Sequence, residues 1–167
     1  QLEWLANLNV TIVGDSVIKM AAPDVTKYIP NVKIYAEVSR QMWDAPGILA
    51  SLQQQGELGD MVVIALGTNG PYGTEYLEKI ASITGDRPLI FINSVMPNEW
   101  EWQVNETLDE FVEKTPGTYL VDWYEHAKER TDLLYNDFTH PMEGTGTVAY
   151  ANLLMWKLLE IGESVVV

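Results

Sequence analysis

Residues 60–66 read Asp-Met-Val-Val-Ile-Ala-Leu, and the unbroken apolar run after Asp60 restricts the chain more than any other stretch. A strand without polar alternation is buried on both faces, as happens at the centre of a parallel sheet covered by helices on either side. The run ends on Gly67-Thr68-Asn69-Gly70, a polar break between glycines. An α/β architecture follows, and the rest of the chain can be searched for the other strands and their crossover helices.

Four further strands fit. Residues 1–8 suggest a short lead-in helix or turn that packs through Trp4 and Leu5. Val10–Val13 is a buried strand bounded by Gly14, where a glycine lets the backbone turn sharply. Asp15 and Ser16 are capping residues for a helix that Pro23 should end, with Asp24 capping another turn through Tyr28. Residues 31–38 alternate as strand two and stop on Ser39-Arg40-Gln41. Residues 43–55 carry Trp43, Ile48, Leu49 and Leu52 at helical spacing, with Pro46 in the first turn and Gly56 closing it.

A helix over about 74–83 leads to strand four at 87–93, whose polar end is Asn93-Ser94. A helix over about 100–114 leads to strand five at 118–123, and 124–136 is read as a helical turn plus loop. A final amphipathic helix over about 143–160 carries Val148, Leu153, Leu154, Trp156, Leu158 and Leu159 as its apolar set. The expected fold is a three-layer, doubly wound α/β domain with a five-stranded, mainly parallel sheet, one domain over 1–167.

Ten Lys and Arg stand against 24 Asp and Glu, a net charge of −14 with no basic cluster. Nucleic acid and anionic membrane surfaces are therefore poor partners. The chain has no cysteine, which excludes disulfides, thiolate catalysis and thiolate metal sites. No apolar run approaches the length of a membrane span and no signal peptide opens the chain. It starts at Gln1 rather than Met, as expected of a domain excised from a larger protein.

In a doubly wound sheet the carboxyl ends of the strands share one edge. That edge gathers Ser16, Ser39-Arg40, Asn69 and Asn93-Ser94, and the last loop adds Asp137 and His140. Acyl chemistry needs a hydroxyl nucleophile, a base, a group orienting the base, and donors for an oxyanion. Ser16, His140, Asp137, and the backbone N–H groups near Ser16 and Ser39 with the Asn69 amide fill those roles. Gly-Asp-Ser alone is ordinary turn chemistry, and an Asp three residues before a His is ordinary helix-entry chemistry. The other histidine, His126, lies in a charged stretch and reads as a surface residue. Asp15 reads as shaping the turn rather than orienting the base.

Competing chemistries have less support. Two separated histidines without cysteine make a catalytic zinc site improbable, and no spacing singles out a carboxylate pair for glycoside hydrolysis. Gly67–Gly70 is not a dinucleotide fingerprint, no Walker pattern occurs, and the G-x-S-x-G elbow of α/β-hydrolases is missing. Trp43, Tyr72, Trp100 and Trp102 are candidates for a glycan platform or for core packing. A non-catalytic glycan-binding domain is the alternative of another class.

The blocks Gly14-Asp15-Ser16, Gly67-Thr68-Asn69-Gly70 and Asp137-Phe138-Thr139-His140, in this order and over nearly the whole chain, resemble the SGNH, or GDSL-type, hydrolases of flavodoxin-like architecture. The resemblance implies a Ser16, His140, Asp137 triad and an oxyanion hole from Ser16, Ser39 and Asn69. Ser39 stands where the family normally has glycine, and a backbone N–H survives that exchange. Arg40, Gln41, Tyr72 and Trp100 are further substrate-binding candidates.

Within the family, VTIVGDSV, VSRQ and ALGTNG are most similar to the extracytoplasmic domain of bacterial peptidoglycan O-acetyltransferases. That likeness implies acetyl transfer through acetyl-Ser16 to the C6 hydroxyl of N-acetylmuramic acid, without metal or cofactor. It further implies a monomeric domain outside the bacterial membrane, tethered to a membrane domain that delivers the acetyl donor, with a glycan as acceptor.

Overall fold

The computed structural model describes residues 2–165. Five strands, β1 (Val10–Gly14), β2 (Val32–Ala36), β3 (Met61–Ala65), β4 (Leu89–Ile92) and β5 (Thr118–Val121), form one parallel sheet in the order β2-β1-β3-β4-β5. The helices are α1 (Leu2–Asn7), α2 (Ser16–Tyr28), α3 (Ala45–Gln54), α4 (Thr74–Thr84), α5 (Glu101–Lys114), α6 (Trp123–Ala127) and α7 (Gly146–Val165), with a 3-10 turn at Met42–Asp44 before α3.

Residue parity sorts the strands between two cores. Val10, Ile12, Met61, Val63, Ile90 and Ile92 face α2 and α7, while Val13, Val62, Ile64, Leu89 and Phe91 face α3, α4 and α5. Both faces of β3 are buried, the situation its continuous apolar run requires. Successive strands move outward in opposite directions from β1, so a crevice opens between the ends of β1 and β3, where doubly wound sheets bind ligands. Gly14, Ala36 and Ala65 share one rung of the sheet, so the first three strands stop at the same level.

Several details differ from the sequence reading. Pro23 does not end the second helix but lies inside α2. It sits on the exposed side, where the Lys19 carbonyl that loses its helical donor faces water. Trp43 belongs to the 3-10 turn and is 46% exposed, so Leu49 and Leu52 anchor α3 without it. Trp123 starts α6 instead of ending β5 and is fully buried, packed edge-on against Tyr150. The last helix begins three residues later than expected and runs five further, with Trp156 on its outer face.

Gly14 is needed for space rather than for turning. Its φ is not positive, but a Cβ there would strike Ile18 Cγ2 and lie 2.8 Å from the Ala65 carbonyl oxygen. Trp4 packs as expected, so close to Gly162 of α7 that no side chain fits between them. Among the described residues no helix is long and apolar enough to cross a membrane.

Candidate active site

Ser16 is the first residue of α2, at the helix end where backbone N–H groups are unpaired and the dipole favours negative charge. Asp15 caps this helix, its Oδ1 accepting from the Val17 N–H at 3.0 Å. Its Oδ2 accepts from the Thr68 hydroxyl at 2.6 Å, and its own N–H donates to Ala65 O at 3.2 Å. Burial raises the Asp15 carboxyl above the usual carboxylate range, against the lowering effect of the Thr68 and Val17 bonds. Asp15 thus holds the turn, as its position beside Ser16 suggests.

The loop between α6 and α7 brings the imidazole over this turn. Ser16 Oγ and His140 Nε2 are 2.8 Å apart, and His140 Nδ1 lies 2.6 Å from Asp137 Oδ2. The other carboxylate oxygen accepts from the N–H groups of Thr139 and His140, each at 3.0 Å. Desolvation works to raise the Asp137 carboxyl, but the N–H groups of His140 and Thr139 and the imidazole outweigh it and leave it below its ordinary range. An ionised Asp137 only accepts, so Nδ1 carries the proton and the Nε2 lone pair faces the Ser16 hydroxyl.

Ser39 lies in the turn after β2 with φ 67°, a left-handed conformation that glycine adopts without strain. Its neighbours stitch this turn to the loop after β3. Gln41 Nε2 donates to Asn69 O at 2.8 Å, and Asn69 Nδ2 donates to Arg40 O at 3.1 Å. The second N–H of the Asn69 amide has no protein partner among the described residues. Ser16, Ser39, Asn69, Asp137 and His140 thus stand at or above one end of the sheet, as their places after β1, β2 and β3 and in the last loop require.

The other candidates are differently placed. Arg40 is turned back on its own loop, its guanidinium donating to Tyr35 O at 2.7 Å and to Glu37 Oε2 at 3.0 Å. The Tyr72 hydroxyl and the Trp100 indole N–H are buried without a hydrogen-bond partner, and burial raises the Tyr72 phenol. Trp102 is 74% exposed on α5. Asn93 and Ser94 are buried and structural, Asn93 bonding Asp122 and the Tyr124 N–H, and Ser94 pairing through its backbone with the Asn105 amide. His126 is exposed on α6 and stacks on Trp123.

The sequence reading missed Thr68, whose hydroxyl links the β3 loop to Asp15, and the left-handed Phe138. Thr68 had a signal in its place between two glycines at a strand end; the φ of Phe138 had none. Among the described residues no three His, Asp or Glu side chains gather as a metal site would require.

The Ser16–His140–Asp137 chain can deprotonate a hydroxyl beside the unpaired N–H groups of a helix N-terminus, a requirement of acyl transfer and of ester hydrolysis. No protein-family model matches the chain. Over 145 residues, 86% of the chain, it is 30% identical to the O-acetyltransferase OatA of Staphylococcus aureus, of which it spans only 24%. The fold matches the C-terminal catalytic domain of the Streptococcus pneumoniae peptidoglycan O-acetyltransferase A, with a TM-score of 0.81 at 24% identity, over 93% of this chain and 94% of that one. It also matches a GDSL-like lipase of Bacteroides thetaiotaomicron, with a TM-score of 0.74 at 15% identity, over 96% and 91%.

Proposed function

We propose that this chain, a domain of SGNH-hydrolase fold homologous to bacterial O-acetyltransferases, transfers acetyl groups to a cell-wall glycan through an acetyl-Ser16 intermediate. The observation that carries the reading is the hydrogen-bond chain from Ser16 Oγ through the His140 ring to Asp137.

His140 Nε2 takes the Ser16 proton as Oγ attacks the carbonyl carbon of an acetyl ester. The N–H groups of Ser16 and Ser39 and the free N–H of the Asn69 amide hold the oxyanion, and Asp137 stabilises the imidazolium. The donor oxygen leaves with the proton from Nε2, giving acetyl-Ser16. In the second half an acceptor hydroxyl gives its proton to Nε2 and attacks the same carbon, releasing Ser16. With water as acceptor the same steps give acetylesterase activity.

The acceptor we infer is the C6 hydroxyl of N-acetylmuramic acid in peptidoglycan. The domain would then work as a monomer on the outer side of a bacterial membrane, with the acetyl donor brought by a membrane-embedded part of a longer protein. Support comes from the homology to O-acetyltransferases of which the chain spans about a quarter.

The test combines labelling with product analysis. A serine-directed phosphonate should attach to Ser16, and Ser16→Ala should lose both the label and turnover of an aryl acetate. With an acetyl donor and a muroglycan, acetate should appear on the sugar. Acetate released only to water would make the domain a carbohydrate esterase, and absence of the label from folded protein would make it a binding module.

A further inference from the structure

Three non-glycine residues have positive φ among those described: Ser39 at 67°, Glu129 at 60° and Phe138 at 54°. Strain of this kind persists where the surroundings over-determine it and collects at functional sites. Ser39 is in the oxyanion loop, and Glu129 is an exposed turn residue after α6. Phe138 needs its own account, because a bulky aromatic residue is an outlier in this region.

The turn imposes the conformation through bonds made by other groups. The Phe138 N–H donates to Tyr135 O at 2.9 Å and the Tyr135 N–H to His140 O at 3.0 Å, while Asp137 Oδ1 gathers the next two N–H groups. Glycine would make every one of these bonds without strain. Burial does not offset the cost well either, since Phe138 is 44% exposed. An aromatic side chain thus sits where folding favours none, in sequence between Asp137 and the His140 that Asp137 binds and that reaches Ser16.

We propose that Phe138 contacts the acceptor: its ring packs on the C–H face of a pyranose and holds a sugar hydroxyl toward the acyl carbon on Ser16. The inference rests on the acyl-transfer reading above. A sugar suits the surroundings better than a long acyl chain. The cavity beside the Ser16 turn, bordered by Asp15, Val17, Ala65, Thr68, Ser94 and Thr139 among others, has a volume of only about 10 Å³, room for a single water and not for an acyl chain, so a bulky acceptor must lie on the open surface above the turn. A sugar seated on the ring also displaces water from the attacking side, and water is the acceptor that turns a transferase into an esterase. In that step the sugar O–H proton passes to His140 Nε2, the new C–O bond forms, the bond to Ser16 Oγ breaks, and Oγ recovers a proton from Nε2.

The test measures how acetyl-enzyme formed from 4-nitrophenyl acetate divides between chitotetraose and water, a ratio independent of the rate of acylation. Phe138→Gly should lower the sugar-to-water ratio roughly tenfold, the scale of one lost aromatic contact. It should also raise Tm by about 2–4 °C as the left-handed strain is relieved. Phe138→Tyr should keep the wild-type ratio. A ratio unchanged within twofold in Phe138→Gly overturns the inference while leaving the acyl-transfer reading intact.

If the wild type acetylates water alone, the transfer reading fails, and chitotetraose titration of Ser16→Ala and Ser16→Ala/Phe138→Gly decides the role of Phe138 separately. Affinity roughly tenfold weaker in the double variant supports the contact. Equal affinity, or no binding to either, overturns it.

Discussion

The Asp15 carboxylate accepts the Thr68 hydroxyl at 2.6 Å with one oxygen and the Val17 N–H with the other, joining the end of β1 to the loop after β3. Ser16 follows one of these residues and Asn69 the other, so one side chain ties the turn that carries Ser16 to the loop that carries Asn69.

Asp15→Ala removes a helix cap and a buried hydrogen bond together, a loss of roughly 2–4 kcal/mol. Thermal unfolding should show a Tm lower by about 5–15 °C. Activity measured well below the new Tm should fall as well, because the turn carrying Ser16 is no longer fixed to the Asn69 loop.

Asp137→Asn should keep the fold and lose about 10⁴-fold in kcat, since an amide donating toward Nδ1 turns the imidazole to the tautomer that cannot accept from Ser16. A kcat within tenfold of wild type would exclude Asp137 as the orienting group. Stability gives an independent reading. The folded carboxyl is held below the ordinary 3.8, so its contribution is complete above that pH and is lost as the pH falls through the folded value. The urea midpoints of wild type and Asp137→Asn should therefore differ most above about pH 5 and converge below 3.8.

Gln41 donates to the Asn69 backbone carbonyl at 2.8 Å, tying the turn after β2 to the loop after β3. On the proposed mechanism, Gln41→Ala should lower kcat by about tenfold, by loosening the loop that carries the Asn69 amide, with little change in KM for an aryl acetate. On the same mechanism, Asn69→Ala removes the proposed oxyanion donor and should cost about 100- to 1000-fold. Equal losses in the two variants would mean that Gln41 does more than position.

Ser39→Gly should be tolerated, since the φ of 67° is open to glycine and the N–H is retained. Turnover within about threefold of wild type and an unchanged or higher Tm are expected. Ser39→Val should be less stable by about 1–3 kcal/mol, because a β-branched residue is forced into a left-handed conformation.

Gly14→Ala should be among the more damaging small substitutions. Its Cβ would lie 2.8 Å from the Ala65 carbonyl oxygen, the acceptor of the Asp15 N–H, so β1 and β3 must part where the site begins. A destabilisation of about 1–3 kcal/mol, read from urea denaturation, is expected.

The five-stranded parallel sheet and the gathering of Ser16, Asn69 and the last loop at one edge were legible because long-range rules govern them. Apolar runs specify buried parallel strands, and parallel strands deliver their carboxyl ends to one edge. What escaped depends on contacts between distant backbones. Pro23 reads as a stop signal unless its side of the helix is known to face water. Gly14 reads as a sharp turn that a side chain would obstruct, but that the obstruction comes from Ile18 and Ala65 is not in the sequence. Arg40, Tyr72 and Trp100 carry side chains suited to a ligand, but sequence does not tell that the guanidinium folds back on Tyr35 and Glu37 or that the polar tips of the two aromatics are buried. Phe138 has the composition of a core residue and the conformation of a glycine.

Ser16 and His140 meet across 124 residues, and the loop that carries His140 leads into α7, which packs on the α2 that carries Ser16. Any stage of synthesis that lacks the last quarter of the chain therefore has a Ser16 without its imidazole. The imidazole reaches Ser16 only once the two ends of the chain are packed together, so on the proposed function the onset of esterase turnover during refolding would be a clock for completion of the whole domain.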